Sequence, residues 1–179
     1  NLYKSMKLSG EIGIVHTLEG KVAISDKLAD RHARDLDDAI SNRFMLDACF
    51  LGYYSDETMA LINEILSKND GTLVTEPSDF EDFRQAAAQI DMLGMNYYSS
   101  HFLQAWDGES KVFNNSTGEK GTSVFALKGI GARVSNPAVP TTDWDWPIYP
   151  QGMHDQLMRI AHDYPNYKKI YISENGMGY

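Results

Sequence analysis

The chain has 179 residues and a single cysteine, Cys49, which excludes an internal disulfide and fits a reducing, cytoplasmic setting. Cys49 lies within Asp47-Ala48-Cys49-Phe50-Leu51 on a helical pattern, where a small core residue is expected rather than a nucleophile. No apolar run approaches the ~18 residues that a membrane span needs. Nor does a positively charged start lead into an apolar stretch, so no secretory signal is expected. Basic residues are in the minority, 16 Lys and Arg against 25 Asp and Glu, and they are scattered. A net charge of −9 without a basic cluster argues against nucleic acid or an anionic membrane as partner. The five histidines, His16, His32, His101, His154 and His162, show no metal-ligand spacing, and no metal is expected. Gly129-Ile130-Gly131 lacks the rest of a dinucleotide fingerprint, so no organic cofactor is expected either. Internal repeats and low-complexity tracts are absent.

What remains is ordinary for one soluble globular unit: 42% apolar and 23% charged residues, enough to bury one sizeable core. The opening Asn1-Leu2-Tyr3-Lys4 reads as the middle of a helix that ends near residue 8 at Ser9-Gly10, and the last residues read as a strand and turn. Residues 1–179 are therefore expected to form part of a domain belonging to a longer chain. A strand is predicted over 11–17, a loop over 18–27, and an amphipathic helix over 28–51, where Leu36, Ile40, Phe44 and Ala48 recur every four residues. A helix over 56–68 carries Met59, Ile62 and Leu66 on one face and stops at Asn69-Asp70-Gly71. Ser78 and Glu81 read as a capping box opening a helix that runs through about Gln89. A buried strand follows over 91–98. Residues 100–147 form a long excursion with β-prone pieces at 111–114 and 124–128; a helix over 152–164 and a strand over 168–173 complete the chain. Buried strands alternating with helices point to a parallel α/β sheet, either part of a barrel or doubly wound.

Two short motifs carry chemistry. Ile170-Tyr171-Ile172-Ser173-Glu174-Asn175-Gly176 reads as a strand that delivers one carboxylate to its C-terminal edge and then turns. Taken alone, Glu-Asn-Gly is far more often an ordinary solvated turn. In a parallel barrel, however, that edge is where catalytic groups sit. The second motif is Gly94-Met95-Asn96-Tyr97-Tyr98-Ser99, in which Asn96 and Tyr98 are two apart and share a strand face. A phenol there can donate to and orient a carboxylate, while an amide can bind a sugar hydroxyl. Trp106, Trp144 and Trp146 are candidates for walls against a pyranose or for core packing, and His16 ends a strand where it could line a pocket. Asn114-Asn115-Ser116-Thr117 contains two overlapping glycosylation sequons, which carry no meaning without secretion.

Together, Leu93-Gly94-Met95-Asn96-Tyr97-Tyr98, Trp146-Pro147-Ile148-Tyr149-Pro150-Gln151-Gly152 and Ile172-Ser173-Glu174-Asn175-Gly176 resemble three ordered segments of the family 1 glycoside hydrolases. The likeness extends over essentially the whole chain. Gly10 to His16, Leu51 to Ser55, Thr142 to Trp146 and Asp163 to Lys169 resemble the branch acting on 6-phospho-β-galactosides. This resemblance implies a (β/α)₈ TIM barrel, of which the chain supplies roughly helix 4 through strand 7. It further implies a retaining β-glycosidase with Glu174 as nucleophile, Tyr98 orienting it and Asn96 on the sugar. The implied partner is a phosphorylated disaccharide such as lactose 6-phosphate. The family's acid/base Glu is expected before Asn1, and its residues for the sugar phosphate beyond Tyr179, so the segment alone is expected to be inactive. The readings left open are a 6-phospho-β-glucosidase, a glycosidase for neutral sugars, and a non-catalytic sugar-binding protein on the same scaffold.

Overall fold

A computed structural model describes residues 5–7, 9–113 and 124–178. The expected helix end over 1–8 falls largely outside the described residues, as do both sequons. The chain opens with β1 (Gly13–Thr17) and β2 (Gly20–Ala23), followed by α1 (Leu28–Asp38). The helical path continues through a π segment (Ala39–Arg43), the short α2 (Phe44–Leu46) and a second π segment (Asp47–Leu51). Next come α3 (Asp56–Lys68), α4 (Pro77–Gln89), β3 (Met92–Tyr97) and β4 (Ser100–Gln104). The chain finishes with β5 (Lys111–Phe113), β6 (Val124–Leu127), β7 (Gly131–Val134), α5 (Pro150–Asp163) and β8 (Ile170–Asn175).

Two sheets result. β1, β3 and β8 form a parallel sheet in that order, with β3 in the middle; β2, β4, β7, β6 and β5 form a second, mixed sheet. In the first, Leu93, Met95 and Tyr97 of β3 alternate toward the helices and are almost completely buried. They meet Leu18, Leu46, Phe50, Ile160 and Tyr164 in one core cluster. A smaller cluster of Leu36, Ala39, Ile62, Ile65 and Ile130 joins α1 and α3 to the second sheet.

The expected repeat of four along 28–51 is only partly met. Leu36 and Ala48 are buried, but Ile40 is 46% exposed, and Ala39 takes its place in the core. The π segments explain the change: each wider turn shifts the phase of the apolar face, so a fixed spacing of four does not track it. α3 has the expected bounds. Ser55 caps it by accepting from the Thr58 amide, and Asp70, at φ 53°, helps to end it. α4 begins one residue earlier than the expected cap at Ser78. Glu76 is its N-cap, Pro77 occupies the first turn and Asp79, not Glu81, closes the capping box.

Three strands of the second sheet had no visible signal. β2 lies inside the expected loop, and β4 and β7 lie inside the excursion. Charged side chains sit among their inward positions, although β4 also buries Phe102 and Leu103. Lys21 of β2, 2% exposed at its side chain, pairs with Asp37 of α1 and Glu19. Arg133 of β7 reaches Glu19 at 2.9 Å, and His101 of β4 lies 3.1 Å from Glu19. Asp38 alongside is held by Arg43 and Arg159, both at 2.7 Å, and by Asn42 at 2.8 Å. Tyr164 donates to Asp47 at 2.7 Å, tying the end of α5 to the second π segment.

Burial pushes the Asp37 carboxyl up, but Lys21 and Arg133 outweigh it and hold the group below its ordinary range. Asp38 is likewise lowered, with burial opposed by Arg159, Asn42 and Arg43. Groups lowered by folding stabilise the native state above their unfolded values, 3.8 for Asp, and that stabilisation is lost as pH falls through the folded values. Lys21→Met is therefore expected to cost about 3–5 kcal/mol at neutral pH, since it strands buried carboxylates. It should also raise the midpoint pH of acid unfolding, as a circular-dichroism titration would show.

Gly152 in the first turn of α5 supports a second prediction. A methyl group there would run into the Ser100 hydroxyl and lie 2.7 Å from the Tyr97 oxygen, two groups already hydrogen-bonded to each other at 2.8 Å. Helix propensity alone favours Ala over Gly by about 1 kcal/mol. Overpacking costs about 1–3 kcal/mol. Gly152→Ala is expected to lower the urea midpoint; a rise would mean that Ser100 and Tyr97 yield at little cost.

Candidate active site

The C-terminal ends of β1, β3 and β8 lie side by side. With Leu93, Met95 and Tyr97 committed to the helix side, Gly94 and Asn96 face the other side, and Tyr98 follows just past the strand end. Packing thus decides where the amide and the phenol point, as the two-residue spacing predicts.

Glu174 reaches the same face through a break in the ladder. Gly94 pairs with Tyr171 and Met95 with Ile172, but Asn96 pairs with Glu174, leaving Ser173 as an extra residue on β8. In an unbroken register Asn96 would pair with Ser173, and Glu174 with Tyr97 on the buried helix side. An unpaired carboxylate there would cost several kcal/mol. The bulge avoids this by setting Ser173 and Glu174 on the face shared by Gly94 and Asn96. Consequently β8 continues through Glu174 to Asn175, two residues beyond the expected end. Asn175 then donates to the Tyr97 carbonyl at 2.7 Å, closing the strand end.

The Tyr98 hydroxyl donates to Glu174 Oε2. This hydrogen bond, with a smaller contribution from burial, raises the Tyr98 phenol above its ordinary value of 10.0, so it remains a neutral donor. Asn96 Oδ1 accepts from Ser173 Oγ at 2.8 Å. All three expected site residues, Glu174, Tyr98 and Asn96, therefore meet at one strand edge. Ser173 joins them. Its only sequence signal was its place before Glu174, and simple alternation sets neighbouring strand residues on opposite faces.

An aromatic wall continues from Tyr98. Its ring lies 5.9 Å from Trp146, and Trp146 lies 5.7 Å edge-on from Trp144. The loop bearing them is held by Thr142, whose Oγ1 accepts from the Trp144 and Trp146 amides, and by a bridge between Thr141 and Pro147. Trp144 is partly exposed, and Gly178 lies against its ring so closely that a methyl group would overlap it. Beside this wall opens a cleft of about 500 Å³ lined by His101, Phe125, Arg133, Ser135, Trp144 and Trp146, among others.

The remaining candidates fall elsewhere. His16 faces the helices and contacts the Ser41 carbonyl at 3.3 Å, so it does not line the site. Alternation explains this, since His16 shares a face with Ile14, which packs on the core. His154 and His162 are exposed neighbours of Asp155 and Asp163. Trp106 donates to the Glu109 carbonyl, away from Glu174. Cys49 is half-buried, and burial pushes its thiol up, which leaves it a poor nucleophile. Among the described residues no group of three or more His, Cys, Asp or Glu could hold a metal ion, and no helix is long and apolar enough to cross a membrane. Sequence reasoning missed the cluster of Glu19, Lys21, Asp37, His101 and Arg133, whose members are brought together only by the fold.

Known proteins resemble this chain over its whole length. A 6-phospho-beta-galactosidase of Clostridium acetobutylicum is 66% identical over 178 residues, covering 99% of this chain and 38% of the relative. One from Streptococcus equi subsp. zooepidemicus is 53% identical over the same share of each. The chain thus spans well under half the length of these relatives. Among solved structures, a beta-glucosidase from Exiguobacterium marinum superposes with a TM-score of 0.73 at 25% identity, covering 98% of this chain and 34% of that one. The family 1 b-glucosidase from Thermotoga maritima gives a TM-score of 0.70 at 22% identity. These likenesses decide between the two sheet architectures left open by periodicity: β1, β3 and β8 are an arc of a (β/α)₈ barrel, without closure among the described residues. The model of the glycosyl hydrolase family 1 matches residues 1–179, and the chain belongs to that family.

Proposed function

We propose that the protein containing this chain is a retaining β-glycosidase that hydrolyses 6-phospho-β-galactosides, such as lactose 6-phosphate, with Glu174 as nucleophile. The observation that carries this reading is the Glu174 carboxylate held by the Tyr98 hydroxyl at the C-terminal edge of a parallel barrel sheet. Family membership supports the reaction class, and the names of the relatives at 50–66% identity support the phosphorylated galactoside. The single cysteine of these residues and the phosphorylated substrate class are in keeping with a cytoplasmic enzyme.

In this mechanism Glu174 attacks the anomeric carbon and forms a covalent glycosyl-enzyme while the leaving oxygen is protonated by a second carboxyl. That carboxyl, about 5 Å from the nucleophile in retaining enzymes, is assigned to the part of the barrel that these 179 residues do not span. It later deprotonates the water that releases the sugar with its original configuration. Tyr98 fixes the carboxylate oxygen it contacts, so that the attacking geometry is set before substrate arrives. Asn96 offers its amide to a sugar hydroxyl. Trp144 and Trp146 present aromatic surface to the apolar face of a sugar. No metal or organic cofactor takes part.

In the whole enzyme, Glu174→Gln is expected to reduce turnover of nitrophenyl β-galactoside 6-phosphate about ten-thousandfold, because a neutral amide is a far weaker nucleophile. Normal rates in that variant would overturn the assignment. Tyr98→Phe is expected to lower kcat roughly ten- to a hundredfold, the worth of a hydrogen bond to a charged group, with the thermal midpoint unchanged. Comparison with the unphosphorylated galactoside and with the phosphorylated glucoside tests the substrate. Preference for the neutral sugar would retain Glu174 but discard the phosphogalactoside reading.

A further inference from the structure

We infer that Ser173 is a positioning residue that holds the Asn96 side chain ready for the sugar. This rests on the functional reading above and adds a residue to it.

Ser173 is the unpaired residue between the Met95–Ile172 and Asn96–Glu174 pairs, so the ladder does not dictate its side chain's role. Its hydroxyl donates to Asn96 Oδ1 at 2.8 Å. An Asn side chain has an acceptor oxygen and a donor nitrogen at nearly equal reach, and without a tether it can present either. With Oδ1 occupied by Ser173, the NH₂ group is the end left for a ligand, and a hydroxyl oxygen on a sugar is what it would bind. Orientation of this kind by a supporting hydrogen bond is how a binding group is held ready before substrate arrives.

Room for this contact depends on Gly94. A methyl group on Gly94 would lie 3.2 Å from Ser173 Oγ and 2.8 Å from Val15 Cγ2. A side chain at residue 94 would therefore crowd the serine between β1 and β8. Gly94, Ser173 and Asn96 form a set in which the missing side chain of the first allows the second to hold the third. Tyr98 and Glu174 make their own hydrogen bond beside it, so the two contacts can be altered separately.

The test is a double-mutant cycle in the whole enzyme with nitrophenyl β-galactoside 6-phosphate, or with the neutral galactoside should that be the better substrate. Ser173→Ala is expected to lower kcat/KM about tenfold, the worth of one neutral hydrogen bond at its upper end. In an Asn96→Ala background the same change is expected to have less than about a twofold effect, because a residue acting through Asn96 has nothing left to position. Ser173→Thr, which keeps the hydroxyl, should restore kcat/KM to within about threefold of the parent. Ser173→Ala without effect in the parent would overturn the inference. So would an equal loss in both backgrounds, which marks a merely structural role. Thr failing while Ala succeeds would overturn it too. Glu174→Gln serves as the separate control: full turnover there removes the nucleophile assignment, whereas the coupling of Ser173 to Asn96 is read independently of it.

Discussion

The burial of one face of β3 is the constraint on which the site depends. Leu93, Met95 and Tyr97 must face the helices, because they supply the middle of the core cluster that includes Leu46, Phe50 and Ile160. Burying side chains of this size contributes about 1.5–3 kcal/mol each, and the three together outweigh any one contact on the opposite face. Gly94 and Asn96 are thereby assigned to the other face, and Tyr98 follows. The polar residues need no force of their own to reach the site. They are held there because turning the strand over would bury an amide and expose the core.

β8 is matched to that template by polar groups. The register is set by contacts at its end: the bulge at Ser173, the Ser173–Asn96 bond, the Tyr98–Glu174 bond and the Asn175–Tyr97 bond. A strongly held central strand therefore provides the template, and polar contacts lock the catalytic strand onto it. The second sheet uses a third method. Glu19, Lys21, Asp37 and Arg133 join strands to α1 by ion pairs in a region where hydrocarbon would ordinarily serve. Such a network is a weak source of net stability but a demanding one in geometry, since each partner removed leaves a buried charge.

These differences explain what could be read in advance. α3, α5 and β3 were legible because their buried positions are apolar and repeat with the period of their element. β2 and β7 were not, because Lys21 and Arg133 look like surface residues until their partners are known, and in β4 the polar Ser100 and His101 precede the buried Phe102 and Leu103 without a clear alternation. Ile40 was misplaced because the π segments change the residues per turn without leaving a mark in composition. The cap of α4 was placed at Ser78 because hydroxyl-to-Glu spacing is common, whereas Glu76 and Asp79 make the same reciprocal bonds with two carboxylates.

The sequence by itself determined the chemistry at the strand ends: one carboxylate before an Asn-Gly turn, and an amide and a phenol two residues apart beside it. It also determined the family, since three ordered motifs carry that likeness without coordinates. Only the tertiary structure decided that Glu174 shares a face with Asn96. Alternation from Tyr171 onward sends that carboxylate to the helix side, and the bulge at Ser173 reverses it. A bulge arises from pairing between strands distant in sequence, here 77 residues apart at Asn96 and Ser173, and local sequence pattern carries no record of such pairing.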